Sequence, residues 1–322
     1  MGKTKSNKKT RKKGTFIPYL TYSVLIVTLS YFVQCIDIFN FSNKQIEPPV
    51  CQDHDDIVCK PLKRDKKMCR TQSQLQKCPM SCGLCSDKCK RYNNTPAFKD
   101  SFKHMIETAL DRHELQPTLL SSDPPIVLFD NFLTDNEMDG LINACPEYIR
   151  SIAGHSISQS RTSSQCWCYA DCMNNPIIGN ALKKVHEVTH TNPNNAEYMQ
   201  LLKYEKDQYY KKHHDQNSAP DTPQGPRIFT FFMYLNTPSK GGETTFPSLD
   251  VTVQPKAGRA ILWPSVLETN MTVTDKRTYH EAMPVLDGIK YGANVWIHLY
   301  DWKTPSQNGC FLTSQNTFDD DN

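Results

Sequence analysis

The chain has 322 residues, 38% of them hydrophobic, which suffices for one substantial core and a smaller module. Its formal net charge is +3, but the first 13 residues hold seven Lys or Arg and no acidic residue. Subtracting these seven from +3 leaves −4 for the remainder, and a mildly acidic folded part argues against nucleic acid as a partner.

A basic tail at residues 1–15 precedes an apolar stretch at residues 16–36. A bilayer core needs about 20 such residues in a helix, whereas a cleaved signal peptide has a shorter apolar core and a small-residue cleavage site. The basic residues crowd the N-terminal flank, so the positive-inside rule predicts a transmembrane signal anchor with a lumenal C-terminal part. We expect a single-pass type II protein of the endoplasmic reticulum or Golgi membrane. The alternative is a buried core helix.

The cysteine content agrees with an oxidising compartment, since the chain holds 13 cysteines and one lies in the apolar stretch. After a linker at residues 37–50, residues 51–85 form a small polar segment that has no apolar core and that disulfides must stabilise. A zinc site is the alternative, and the sequence leaves the connectivity open. Its cysteines are Cys51, Cys59, Cys69, Cys78, Cys82 and Cys85.

A second set of cysteines lies outside this small module, and we interpret it as disulfides that pin a substrate loop. A second metal cluster is the alternative. These cysteines are Cys89, Cys145, Cys166, Cys168, Cys172 and Cys310. In the same compartment, Asn93 and Asn270 would be acceptors for N-glycosylation, because each is followed by Thr two residues later.

Residues 86–123 read as a linker and one amphipathic helix, with helical spacing of apolar residues over 98–115. A first strand is predicted at 124–129. Thr134 and Glu137 form a capping box that predicts the start of a helix, and a further helix is predicted over 176–190 because Pro occupies its first turn.

Strand signals dominate from Ala196 onward, separated by turn-rich breaks. Helices followed by a run of short strands predict a mainly β fold, a double-stranded β-helix or jelly roll with supporting helices on one face. This domain covers residues 124–302, and residues 303–322 form a C-terminal tail. The predicted strands are 198–205, 208–215, 227–236, 249–254, 259–263, 278–285 and 291–302.

One strand carries a candidate metal motif. Successive side chains of a strand point to opposite faces, so His213 and Asp215 share one face and His214, the rival ligand, takes the other. His280 lies far along the chain on a later predicted strand. Two His and one carboxylate form the facial triad that binds non-haem Fe(II) in oxygenases.

Several motifs follow one another along the chain. They are Tyr204, His213-x-Asp215, Gly241-Gly242-Glu243-Thr244, His280, Lys290 and Trp296-Ile297-His298. From about Pro124 to Trp302 this ordered set resembles the prolyl 4-hydroxylase family of 2-oxoglutarate- and Fe(II)-dependent dioxygenases. The resemblance implies that His213, Asp215 and His280 hold Fe(II), and that ascorbate is a further cofactor.

The resemblance also implies that Lys290 anchors the far carboxylate of 2-oxoglutarate, with Tyr204 and Thr230 supplying hydroxyl groups around it. The physical requirement agrees, because an anion inside an apolar barrel needs a charge-assisted partner. Lysyl hydroxylases use Arg at the anchor, so Lys290 argues against that activity. His298 is interpreted as a structural histidine.

By the same resemblance, Arg161 and Trp263 lie on the side of the site that binds the peptide substrate. Lys212 departs from the family, which usually has Pro there, and this departure bears on the choice of substrate. The small module resembles the ShK-toxin-like six-cysteine module. That resemblance implies the pairs Cys51–Cys85, Cys59–Cys78 and Cys69–Cys82.

Together these features predict peptidyl-proline 4-hydroxylation coupled to oxidative decarboxylation of 2-oxoglutarate to succinate and CO2. The expected partner is a proline-containing protein or peptide. Two alternatives stay open: a hydroxylase of another residue or of a small molecule on the same scaffold, and a non-catalytic, membrane-tethered binding protein.

Overall fold

The computed structural model of the chain describes a defined set of residues. These are 52–64, 77–83, 85, 89, 91, 94–97, 101–153, 156–157, 159–169, 171–216, 218, 222–308 and 310. The chain divides into two compact units, residues 1–47 and 48–322, and every described residue belongs to the second. The predicted anchor at 16–36 therefore lies outside the described residues. Within the described residues, none of the helices has the length and apolar character needed to cross a bilayer.

The small cysteine-rich module contains helix α1, Asp56–Arg64. A disulfide joins Cys59 to Cys78, as the resemblance implied. Cys82 and Cys85 are also disulfide-bonded, but the cysteines predicted to pair with them lie outside the described residues. Those two pairings stay predictions.

Two of the predicted helices are present, and one of them begins at its predicted cap. Helix α2, Phe102–Leu110, is shorter than the predicted 98–115, and a single 3-10 turn follows at His113–Leu115. Helix α3, Asp135–Ile142, begins with the predicted capping box, in which Thr134 and Glu137 each accept a hydrogen bond from the backbone N–H of the other.

Two further helices complete the set among the described residues. Helix α4, Pro176–Thr189, is capped by Asn175, whose side chain accepts from the N–H of Ile177. It ends at His190, which has a left-handed conformation. The short helix α5, Lys303–Gln307, follows the last strand.

The strands are short and mostly antiparallel to their neighbours. Their bounds are β1 Pro117–Ser122, β2 Pro125–Phe129, β3 Ile149–Arg150, β4 Ile152–Ala153, β5 Ser156–Ile157, β6 Ser164–Trp167, β7 Gln200–Tyr204, β8 Tyr210–His213, β9 Arg227–Tyr234, β10 Lys240–Gly241, β11 Thr244–Phe246, β12 Val251–Val253, β13 Ala260–Pro264, β14 Val266–Leu267, β15 Asn270–Thr274, β16 His280–Ala282, β17 Val285–Asp287 and β18 Lys290–His298. The large sheet has eight strands in the order β1-β2-β13-β9-β18-β7-β6-β3, and a smaller sheet has the order β12-β11-β16-β8.

The two sheets pack face to face, as the ring of Phe246 on β11 meets that of Trp263 on β13 at 5.3 Å. The other face of the large sheet bears the helices, where Phe102 of α2 packs on Phe229 of β9 at 4.8 Å. Alternation along β9 assigns Phe229 and Phe231 to the helix side and Phe232 to the side between the sheets. The predicted layering, with helices on one face of a β sandwich, is confirmed.

Strand bounds differ from prediction where the chain must turn. The predicted strand 208–215 ends at His213, and Asp215 lies in a bend. The predicted strand 278–285 divides into a 3-10 turn at Lys276–Thr278, strand β16 and strand β17. Strand propensity alone does not predict these breaks, because it depends strongly on the tertiary context of each residue.

The second set of cysteines forms disulfides throughout. Cys145 pairs with Cys166, Cys168 with Cys172, and Cys89 with Cys310. The prediction of disulfides is confirmed, and these paired thiols are not available for the alternative metal cluster. The Cys89–Cys310 bond ties the segment after the small module to the segment after the last strand.

The capping box of α3 yields a test of this fold. Replacing Thr134 by Ala removes the side-chain acceptor for the Glu137 N–H, and loss of such a cap costs about 1 kcal/mol. We expect the free energy of unfolding in urea to fall by that amount. Thr118→Ala, at an exposed position of β1, is the matched control and should change it by less than about 0.5 kcal/mol. Equal effects of the two substitutions would contradict the role of the cap.

Candidate active site

Three side chains converge between the two sheets. His213 is the last residue of β8 and lies directly opposite His280, the first residue of β16. Asp215 follows His213 by two residues and turns back toward both rings. One ligand atom from each of the three lies within 4.8 Å of those of the other two. This is the only such group of His, Cys, Asp or Glu found among the described residues.

The carboxylate of Asp215 stands between the two imidazoles. Its Oδ1 is 3.7 Å from Nε2 of His213, and its Oδ2 is 3.6 Å from Nε2 of His280. The two rings are 4.3 Å apart between centroids. These separations leave a point that all three atoms can reach, so the predicted facial triad is assembled.

Backbone carbonyls determine which nitrogen of each histidine faces that point. Nδ1 of His213 donates to the carbonyl of Lys211 at 2.9 Å, and Nδ1 of His280 donates to the carbonyl of Thr278 at 3.0 Å. A carbonyl can only accept, so each Nδ1 carries the proton and each Nε2 offers its lone pair. Such partners are the usual means of orienting a histidine that binds a metal.

Burial and neighbouring groups set the protonation states of His213 and Asp215. Burial, together with the neighbouring His280, lowers the pKa of His213 to about 3, so the ring is neutral at pH 7. Burial opposes ionisation of Asp215, but His280, His213 and a hydrogen bond from Thr230 outweigh it and hold its pKa at about 2. A neutral imidazole and a carboxylate are the donors that Fe(II) takes.

Thr230 contacts the candidate iron ligand. Its hydroxyl donates to Oδ2 of Asp215 at 2.7 Å, and the residue is fully buried. This hydrogen bond orients the Asp215 carboxylate, a role that the sequence did not predict. The predicted contact of Thr230 with the far carboxylate of the cosubstrate stays a prediction.

His214, the rival ligand, is occupied elsewhere. Its Nε2 lies 3.0 Å from the carbonyl of Asp275, and its Nδ1 accepts from the backbone N–H of Gln216 at 2.9 Å. Both ring nitrogens are therefore engaged outside the triad. The choice of His213 over His214 agrees with the structure, although the bend after β8 contributes as much as strand alternation.

A cavity of about 480 Å³ opens over the triad, lined by residues of both sheets. At its inner end lies Lys290, which is 1% exposed. Its Nζ donates to the carbonyl of Gly242 at 2.7 Å and lies 5.3 to 5.4 Å from the ring centres of Tyr204, Phe232 and Tyr234. Within the described part of the chain, no carboxylate lies within salt-bridge distance of it.

The Lys290 ammonium group therefore needs an anion. Burial lowers the pKa of Lys290 to about 7, opposed by the charge of Glu243. A buried cation without a counter-ion is costly, and the carboxylate of a ligand in the cavity would offset that cost. The neighbouring Gly242 has a φ of +80°, and a side chain there would begin 3.2 Å from the Lys290 chain. Gly242 therefore leaves room for the lysine.

Tyr204 lies opposite Lys290 in the register of β7 and β18, and it lines the cavity. Its predicted contact with the far carboxylate of 2-oxoglutarate stays a prediction. Burial raises the pKa of its hydroxyl, so the group stays neutral. Thr244 lines the same cavity and accepts a hydrogen bond from the hydroxyl of Tyr234 at 2.8 Å. The sequence analysis included Thr244 in a motif but assigned it no role.

Arg161 and Trp263, the two residues predicted on the peptide side, both line the cavity but differ in position. Arg161 is buried, donates to the side chain of Gln200 at 3.1 Å and lies 4.8 Å from the ring centre of Tyr210. Trp263 packs edge-on against His280 with ring centres 4.8 Å apart. Its ring supports an iron ligand more directly than it offers a contact to a peptide.

A buried charged cluster that the sequence did not predict lies beside the triad. Glu197 accepts from Nε of Arg227 at 2.5 Å and from Nε2 of His298 at 2.7 Å. Arg227 also donates to the carbonyl of Asp215 at 3.1 Å. Although burial opposes it, these partners hold the pKa of Glu197 at about 2. No spacing in the sequence marks Glu197, whereas His298 has the structural role expected of it.

Arg227 also covers the ring of Trp296 at 4.0 Å. The indole Nε1 of Trp296 is buried and has no hydrogen-bond partner among the described residues, although the residue lines the cavity. An unpaired buried donor is costly. An acceptor on a bound ligand would satisfy it.

Comparisons with known proteins agree with this site. A family model of the 2OG-Fe(II) oxygenase superfamily matches residues 199–298. The chain is 32% identical to the probable prolyl 4-hydroxylase 7 of Arabidopsis thaliana, over 60% of this chain and 69% of that relative. It is 30% identical to the prolyl 4-hydroxylase subunit alpha-2 of Caenorhabditis elegans, over 63% of this chain and 41% of that subunit.

A solved structure is similar as well. The viral collagen prolyl hydroxylase from Paramecium Bursaria Chlorella virus-1, in its 2OG complex, is 32% identical over 54% of this chain and 96% of that chain, with a TM-score of 0.45. The chain thus spans most of the viral protein and less than half of the nematode subunit.

The hydrogen bond of Thr230 provides a test of the metal centre. Thr230→Val keeps the shape of the side chain but removes the donor to Asp215, and loss of such an outer partner costs about 10- to 100-fold in metal affinity. We expect the Kd for Fe(II), or for Mn(II) as a redox-stable probe, to rise by that factor. Thr244→Val is the control, since its hydroxyl bonds Tyr234. An unchanged Kd in Thr230→Val would contradict the assignment.

Proposed function

Because the chain belongs to the prolyl 4-hydroxylase family of 2-oxoglutarate- and Fe(II)-dependent dioxygenases, we propose that it hydroxylates proline residues of a polypeptide. The reaction converts peptidyl-proline, 2-oxoglutarate and O2 into peptidyl-hydroxyproline, succinate and CO2. The observation that carries the proposal is that one cavity holds both an assembled triad and a buried ammonium group with no carboxylate within salt-bridge distance among the described residues.

The triad fits a ferrous ion. His213, Asp215 and His280 would hold it, and three protein ligands leave open positions for other ligands. Bound Fe(II) supplies the activation of dioxygen and the oxidation of 2-oxoglutarate. The protein keeps both Nε2 lone pairs free through the two backbone carbonyls and orients the carboxylate through Thr230. These contacts are made within the protein and fix the orientation of the three ligand atoms.

Lys290 fits the far carboxylate of 2-oxoglutarate. A charge-assisted hydrogen bond there would restore the ammonium form and offset its burial. The rings of Tyr204, Phe232 and Tyr234 around Nζ keep water from competing for the cation. The cavity joins this point to the triad, so one dicarboxylate can reach both.

The cavity wall beside the triad fits a proline-rich peptide. Prolines lack a backbone N–H, so such a peptide presents mainly carbonyl acceptors. Two buried donors in the cavity wall suit them: Nε1 of Trp296, which has no partner among the described residues, and the guanidinium of Arg161. The ring of Tyr210 stacks on His213 with centres 3.4 Å apart and offers an apolar surface next to the iron position.

Finer features of the activity follow from the same proposal. The names of the relatives, prolyl 4-hydroxylases, support position 4 of the proline ring. Ascorbate as a reductant is part of the proposal and rests on the resemblance of the sequence motifs to the family. We also propose a type II anchor at residues 16–36 and a lumenal catalytic domain in the endoplasmic reticulum or Golgi. The disulfides of the described residues support an oxidising compartment. Asn270, exposed on β15, suits glycosylation there.

Turnover of peptides tests the proposed function. The full chain in detergent micelles, with Fe(II), 2-oxoglutarate and ascorbate, should release succinate in a peptide-dependent manner and add about 16 Da to proline, the mass of one oxygen atom. His280→Ala should abolish both signals, because it removes an iron ligand. His113→Ala, at an exposed position, should leave them intact.

The choice of peptides makes this test decisive. Collagen-like, poly-proline and acidic proline-containing peptides should be compared, since the sequence does not name the substrate. Succinate release that no peptide stimulates, or a mass gain that survives in His280→Ala, would exclude the proposed activity.

The lowered pKa of Lys290 predicts a pH dependence. The free enzyme loses the ammonium charge as pH rises through about 7, whereas a bound carboxylate favours the charged form. The KM for 2-oxoglutarate should therefore rise above pH 7, by up to about tenfold per pH unit. Glu243 opposes this shift, and burial keeps the hydroxyls of Tyr204 and Tyr234 neutral over this range.

Lys290→Arg is the matched variant, because a guanidinium stays charged throughout this range. Its KM is expected to be higher at pH 7 but nearly independent of pH between about 6 and 9. A wild-type KM that does not change over the same range would show that Lys290 does not bind the cosubstrate carboxylate.

A further inference from the structure

The inner face of the large sheet continues beyond the cavity on strand β6. Gln165 and Trp167 are two residues apart on β6 and both line the cavity. Tyr169 is the next residue on that side by alternation. The N–H of Cys168 donates to the carbonyl of Met199 at 2.9 Å, so pairing with the neighbouring chain extends past the end of the strand. Tyr169 therefore lies on the same face as Gln165 and Trp167, just outside the cavity.

The adjacent strand continues in the same direction. Gln200 and Leu202 of β7 line the cavity, and Tyr198 precedes Gln200 by two residues. The ring of Tyr198 meets that of Tyr169 edge-on with centres 5.1 Å apart, and it meets buried Trp302 at 5.2 Å. Tyr198 thus lies beside Tyr169 outside the cavity.

Three of these rings, Trp167, Tyr169 and Tyr198, form what we term the aromatic row. Trp167 stacks nearly parallel to Tyr169, at 10° with centres 6.3 Å apart, and lies 5.8 Å from Trp296 in the cavity wall. Each member of the row is half-buried, so part of each ring faces solvent. The row is continuous with the cavity through Trp167, which belongs to both.

Disulfides hold the segment that carries the row. Trp167 stands between Cys166, which is bonded to Cys145, and Cys168, which is bonded to Cys172. One disulfide on each side of Trp167 strongly restricts the backbone at this residue. A row fixed in this way loses little conformational freedom when a ligand binds.

We propose that the aromatic row is a docking subsite for prolines that flank the target proline in the substrate. The inference rests on the proposed function. Proline-rich segments adopt the stiff polyproline II helix, which advances about 3.1 Å per residue and docks on aromatic surfaces. The 6.3 Å between Trp167 and Tyr169 matches about two residues of such a helix. A peptide leaving the cavity along this face would meet the row next.

The role predicts a dependence on peptide length. A proline-rich peptide of about twelve residues reaches the row, and one of about four residues does not, given about 3.1 Å per residue. The wild-type full chain should have a lower KM for the longer peptide. Tyr169→Ala and Tyr198→Ala should each raise that KM about three- to tenfold, the usual worth of an aromatic contact. Neither should change kcat, the KM for 2-oxoglutarate, or the KM for the short peptide.

Matched variants separate docking from folding. Tyr169→Phe and Tyr198→Phe keep the rings and should retain the wild-type KM. Tyr169→Leu keeps apolar volume without a ring, so it should behave as Tyr169→Ala even if the alanine variant is unstable. Tyr148→Leu alters a tyrosine that packs on Tyr291 outside the cavity, and it should have no effect on the KM for either peptide.

The outcomes distinguish this inference from the proposed function. If the wild type turns over both peptides with equal KM, the row is not a docking subsite and the proposed function stands. The same conclusion follows if Tyr169→Leu, Tyr169→Ala and Tyr198→Ala all keep the wild-type KM for the long peptide. If the wild type turns over no peptide, the proposed function fails and the inference fails with it.

Discussion

The pairing of β8 with β16 sets His213 directly opposite His280, and the rest of the site depends on this register. The period of a strand is two residues, so a slip by one residue would move one ring to the other face of the small sheet and disperse the triad. The bend after His213 then returns the Asp215 carboxylate to the same point. The metal centre is thus a consequence of one antiparallel contact and one turn.

The large sheet supplies the stability that this arrangement needs. One face packs on the helices through a continuous apolar cluster that includes Phe102, Phe229 and Phe231. The other face can then carry groups that are costly to bury, among them Lys290 and the ion pair of Glu197 with Arg227. The ion pair is satisfied within the protein, whereas Lys290 has no carboxylate within salt-bridge distance among the described residues. This difference distinguishes a charge that is paired within the protein from one that suits an anionic ligand.

The same face links chemistry to substrate recognition. From Lys290 at its inner end, it passes the triad and continues to the aromatic row, so cosubstrate, iron and polypeptide would lie along one surface. The disulfides at Cys166 and Cys168 contribute to this arrangement, because they restrict the segment that carries the aromatic row at the end of strand β6.

The sequence by itself indicated the candidate iron ligands, the lysine, the capping box and the order of the longer helices and strands, but it did not indicate the short strands β1, β3 to β6, β11, β14 and β15. Only a few residue types can bind iron or pair with a buried anion, so their order along the chain is a specific signal. The start of a helix depends on residues that are neighbours in the sequence, so the sequence also indicates it. Only the tertiary structure decided that the Thr230 hydroxyl bonds Asp215, that Glu197 pairs with Arg227 and His298, and which cysteines outside the small module pair. Those contacts join residues on different strands, and their geometry depends on register and bends that local preferences do not encode.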